Sequence, residues 1–78
     1  MTAEEMFKNL GYKKVDRYGY ITYEQENDEY CPVVIEFDDD ATFIAYRRYT
    51  KEAVYLSCEE LKAIVKQYKE LGWIDETN

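Results

Sequence analysis

Histidine is absent from this 78-residue sequence, proline occurs once, and there are only three glycines and two cysteines. Without histidine there is no imidazole base, no Ser-His or Cys-His nucleophile and no histidine-containing metal site. The glycines do not cluster into a phosphate-cradling loop: Gly11 and Gly72 each follow a helical pattern, and Gly19 stands at the start of a strand-like run. Cys31 and Cys58 are too few for a structural zinc site and do not make a disulfide framework. No stretch approaches the roughly 20 apolar residues of a membrane span. The opening Met1-Thr2-Ala3-Glu4-Glu5 lacks the basic start and apolar run of a secretory signal. These absences predict a cytoplasmic protein with reduced thiols, with a Cys31–Cys58 bond as the alternative. Scarce glycine and proline leave little chain for linkers, so one ordered domain over residues 1–78 is expected.

What the sequence does have is tyrosine and acid. Nine Tyr, three Phe and one Trp supply large buried area to a domain near the lower size limit for folding alone. The net charge is −7. Residues 18–46 carry Glu24, Glu26, Asp28, Glu29, Glu36, Asp38, Asp39 and Asp40 with no Lys or Arg, so this segment holds the whole imbalance. Such a field repels phosphates and attracts a basic partner; the plainer reading is a solubilising face.

Two helices are legible. Thr2 and Glu5 have capping-box spacing, Ala3, Met6, Phe7 and Leu10 form one apolar stripe, and Gly11 ends the helix. Ser57 and Glu60 repeat the box, and Gly72 repeats the stop. Leu61, Ile64, Val65, Tyr68 and Leu71 fall on one arc of this second helix and are expected in the core; Lys62, Lys66, Lys69, Glu59 and Glu70 fall opposite, with Glu59–Lys62 and Lys66–Glu70 spaced as i+3 and i+4 neighbours on a solvent face. Trp73 is placed to fold back on the last turn. Between the helices, Tyr18–Gln25, Cys31–Phe37 and Ala41–Tyr49 read as strands, and Ala53–Leu56 as a possible short fourth. The fold expected is α+β: helix, three- to four-stranded antiparallel meander, helix, with a single layer of helices on the sheet. A two-residue turn at Asp39-Asp40 would align Ile44 and Tyr46 with Phe37's face, whereas a three- or five-residue loop would put Phe43 and Ala45 there; the second register, with Phe43 and Ala45 on the helix side, is the one expected.

These strands are apolar on both faces, since Val34, Ile44, Tyr46, Tyr20 and Thr22 alternate with the residues facing the helices. Either the helices cover both faces, or they lie on one and a second molecule covers the other. Lys13-Lys14-Arg17 and Arg47-Arg48-Lys51 form two basic clusters; pairing with neighbouring carboxylates is the simpler reading than phosphate binding. Tyrosines interleaved with acids suit a protein-binding surface better than a base-stacking platform. Consecutive Asp38, Asp39 and Asp40 lack the alternation and central glycine of a calcium loop. No catalytic, cofactor or metal residues are expected.

The helix segments Ala3-Glu4-Glu5-Met6-Phe7 with Leu10-Gly11-Tyr12, and Leu61-Lys62-Ala63-Ile64 with Lys66-Gln67 and Glu70-Leu71-Gly72-Trp73, resemble short uncharacterised proteins of phages and prophages of low-GC Gram-positive bacteria. The resemblance implies a mobile-element setting and carries no site residues, because its motifs are caps and core stripes. The functional expectation is a small acidic non-enzymatic binding module acting through protein contact. Its surface would be the open sheet face and acidic turn: Tyr20, Glu24, Glu36, Asp38, Asp39, Asp40 and Tyr46. The partner would be a second copy, as a homodimer, or a basic host protein, with no direct nucleic-acid or membrane contact. A carboxylate-based metal-dependent enzyme and a structural component of a larger assembly are the alternatives.

Overall fold

The computed structural model describes residues 1–75 of the chain. Helix α1 (Ala3–Asn9) is followed by strands β1 (Tyr12–Arg17), β2 (Tyr20–Gln25), β3 (Val33–Phe37) and β4 (Phe43–Arg47), then helix α2 (Cys58–Glu70). The strands pair antiparallel in the order β1-β2-β3-β4, a simple meander between two helices.

Local chemistry sets both helix ends. Thr2 and Ser57 accept from the N–H groups of Glu5 and Glu60, whose carboxylates take the cap N–H groups in return. After α2, the Gly72 N–H reaches the Lys69 carbonyl and the Trp73 N–H reaches the Tyr68 carbonyl, with Gly72 at φ +76. That is a Schellman stop, and its hydrophobic contact is present: the Trp73 ring meets the Tyr68 ring edge-on at 4.9 Å.

Four strands form, but the fourth is not the one expected. Tyr12–Arg17 pairs with β2 along its whole length, whereas Ala53 makes only an isolated bridge to Tyr46. The tight turn is Tyr18-Gly19, both at positive φ (55 and 83), the two-residue hairpin geometry that matches strand twist. The strand reads weakly because it is an edge: Lys13, Lys14 and Asp16 are exposed, and charge there discourages pairing with another chain. The Glu52–Ala53 segment covers part of the opposite edge, with the Arg47 N–H donating to the Glu52 carbonyl.

The acidic turn aligns β4 as the three-residue loop requires. The Asp38 N–H donates to the Thr42 carbonyl, Ala41 takes the left-handed position at φ +63, and Phe43 and Ala45 come out on Phe37's side. Both helices lie on that side. The core gathers Phe7 from α1, Tyr12, Tyr23, Val33, Ile35 and Phe37 from the sheet, and Ala63 and Ile64 from α2. Phe7 is its centre: its ring stacks on Tyr23 at 4.0 Å and meets Tyr12 and Phe37 edge-on.

One helix is rolled relative to its apolar arc. The buried residues of α2 are Ala63, Ile64 and Gln67, while Leu61 and Val65 are 51% and 37% exposed. The buried face is centred roughly a quarter turn from the arc of Leu61, Ile64, Val65, Tyr68 and Leu71. Two phenols account for the roll. Tyr23 lies in the core and donates to the Gln67 side-chain oxygen at 2.6 Å; Tyr12 donates to the Glu60 carboxylate. A buried hydroxyl without a partner is costly, so Gln67 and Glu60 face the sheet and Leu61 and Val65 turn outward.

Candidate functional site

Of the residues expected to form a contact surface, Tyr20, Glu24, Glu36 and Tyr46 do share the sheet face away from the helices, and the Asp38–Asp40 turn lies at one end of it. That face, however, is largely closed by its own side chains. Thr22 and Val34 at its centre are fully buried, Tyr20, Glu36 and Tyr46 are half-buried, and Ile44 alone of its apolar residues is mostly exposed. Lys51 places its ammonium 4.8 Å from the Tyr46 ring centre.

Glu24 is the anchor of this closure. It is 5% exposed, and its carboxylate holds both Arg48 and, at 3.6 Å, Arg17. Arg17 stands opposite Tyr20 while Glu24 stands opposite Lys13. The Arg17 side chain must therefore run back along the face past the Val15–Thr22 rung, laying its aliphatic stem over the sheet. The two basic clusters thus each give one guanidinium to Glu24. Glu24 belongs to the protein's interior and not to its surface charge.

The β2–β3 loop forms a second polar cluster. The Asp28 carboxylate accepts from the Tyr30 and Cys31 N–H groups, both at 3.0 Å, and lies 3.7 Å from Arg47; the Cys31 bond comes first among the causes that hold it below the usual carboxylate range. Arg47 also donates to the Cys31 carbonyl. Hydrogen bonds from the Tyr49 and Thr50 backbone hold the Cys31 thiol below its usual range. With no histidine in the sequence this thiol has no imidazole partner. Both cysteines are free. Among the described residues no group of three or more His, Cys, Asp or Glu could hold a metal ion, and no helix is long and apolar enough to cross a membrane.

The buried phenols provide a pH test of the fold. Burial pushes Tyr12 and Tyr23 well above the usual tyrosine range, helped by the Glu60 carboxylate at Tyr12 and by the charges of Glu4 and Glu70 at Tyr23. A pKa raised by folding contributes stability that is complete below the unfolded value, near pH 10, and is lost as pH rises beyond it. In an alkaline titration the last rise in tyrosinate absorbance should coincide with loss of the far-ultraviolet helix signal; a rise completed while that signal is intact would refute the assignment.

A second outward-facing apolar surface lies across the two helices. Leu61, Val65 and Cys58 of α2 and Met6 of α1 form a trough of about 360 Å³ bounded by Lys62, Lys66 and Lys69. A hollow of about 260 Å³, lined by Met1, Met6, Asn9, Leu10 and Glu59, adjoins it through Met6. The apolar arc of α2 put Leu61 and Val65 in the core and so gave no sign of this trough. No protein family, curated protein or solved structure matches this chain.

Proposed function

We propose that this protein is a non-enzymatic binding module that acts through protein–protein contact, with the trough across α1 and α2 as its contact surface. The observation that carries the reading is the outward placement of Leu61 and Val65 beside Met6 in one continuous concavity. Single exposed apolar side chains are ordinary on a protein surface; a contiguous set rimmed by charge is the pattern of a surface that is covered in use. The open sheet face is the weaker candidate, because the Arg17–Glu24–Arg48 cluster already covers its centre. The resemblance of the helix segments to phage and prophage proteins makes a low-GC Gram-positive host the place to look.

The test is affinity capture from such a host with the wild-type chain and with a Leu61→Glu/Val65→Glu variant. Both positions are outward-facing, so the variant should keep the wild-type unfolding midpoint. A protein retained in near-stoichiometric amount by the wild type and lost from the variant is the expected result. Identical captured proteins on both would overturn the proposal.

A further inference from the structure

We infer that the trough takes an amphipathic helix from another protein, with Asp or Glu flanking its apolar stripe; this rests on the binding-module reading above. Leu61 and Val65 lie one turn apart on α2, and Met6 faces them from α1. This floor matches apolar residues at i, i+3 or i+4, and i+7 of a docked helix, and methionine adapts its shape to such a guest. Charge selects the flanks. The chain carries −7, yet the trough is bounded by Lys62, Lys66 and Lys69. Lys62 meets Glu59 at 3.3 Å, but both side chains are mostly exposed, and such a pair is weak enough to exchange for a carboxylate of the guest.

Other occupants fit less well. An anionic lipid surface is flat where the trough is concave. Nucleic acid would find no aromatic ring in the trough on which to stack a base. A second copy of the chain in a two-fold contact lays one lysine-rimmed α2 along another, with like charges across the seam.

Two synthetic helical peptides with one shared leucine stripe, one flanked by Glu and the other by Lys, test the inference against the isotope-labelled full chain. The Glu-flanked peptide should bind about tenfold more tightly. It should shift the amide signals of Met6, Leu61 and Val65. A Lys62→Glu/Lys66→Glu/Lys69→Glu variant with unchanged thermal unfolding should reverse the preference. Equal affinities, a preference for the Lys-flanked peptide, no binding of either, or shifts confined to the sheet would overturn it. The broader reading fails separately. A host protein lost by the Leu61/Val65 variant but kept by the lysine reversal leaves a binding module whose guest is not acidic. A host protein kept by both variants removes the trough itself.

Discussion

Replacing Phe7 with alanine is expected to lower the unfolding free energy by about 3–5 kcal/mol, the range for deleting a buried aromatic ring. Its ring has no solvent exposure, stacks on Tyr23 and meets Tyr12 and Phe37 edge-on, so it joins α1 to three of the sheet's core aromatics. Neighbouring rings on a sheet cannot collapse into the space left behind, which keeps the cavity contribution near its full value. At roughly 0.05–0.15 kcal/mol per residue, a chain of this length has about 4–12 kcal/mol in all. The variant should therefore unfold at a much lower urea concentration than the wild type, and α1 should be lost with the core. A Phe7→Leu variant, which refills much of the volume, should recover a large part of the loss. An alanine variant within about 1 kcal/mol of wild type would mean that α1 is not docked as described.

Glu24→Ala is the second large effect, and it acts on the opposite face of the sheet. Removing a buried carboxylate leaves Arg17 and Arg48 facing each other across an uncompensated site. Both guanidinium groups retain some contact with water, at 25% and 38% side-chain exposure, so the penalty is smaller than for a fully buried pair. A loss of about 1–3 kcal/mol follows, read as a lower urea midpoint at unchanged slope. Because the carboxylate lies beneath its partners, salt should screen the wild-type cluster only weakly. Replacing all three charges with apolar residues, as Arg17→Met/Glu24→Leu/Arg48→Met, should restore most of the stability, since charge removal also removes desolvation cost. If Glu24→Ala were as stable as wild type, the cluster would be surface decoration and the sheet face would be open to a partner after all.

The same carboxylate illustrates how far sequence reasoning reached. Glu24 was legible as one of eight acids in a segment without bases, and that count is correct. Its fate depended on Arg17 and Arg48, one before the segment and one after it, arriving on the same sheet face. Alternation along β2 gives its face, but pairing with the edge strand β1 decides which cation stands over it. Strand β1 itself was hidden because Lys13, Lys14 and Asp16 mask the pattern of a buried strand, and the positive-φ pair Tyr18-Gly19 carries an unusual first residue for that turn.

The trough was hidden for a related reason. Hydrophobic periodicity ranks residues by apolarity, so it placed Leu61 and Val65 inward. It gave no weight to Gln67, which is 4% exposed, or to Glu60, half-buried beside Tyr12. The phenols that hold these two side chains come from residues 44 and 48 positions away along the chain. Satisfying them outweighs burying two aliphatic side chains, and the surplus apolar surface appears on the helices' outer side instead of on the open face of the sheet.

By itself the sequence determined the elements whose physics is local. Both capping boxes, the Gly72-Trp73 stop and the helix–meander–helix order follow from groups a few residues apart, where spacing alone fixes geometry. The tertiary structure decided the roll of α2, the closure of the sheet's second face around Glu24, and the place where apolar surface is left exposed. Each of these turns on a buried polar group finding a partner far along the chain, and only the folded arrangement brings the two together.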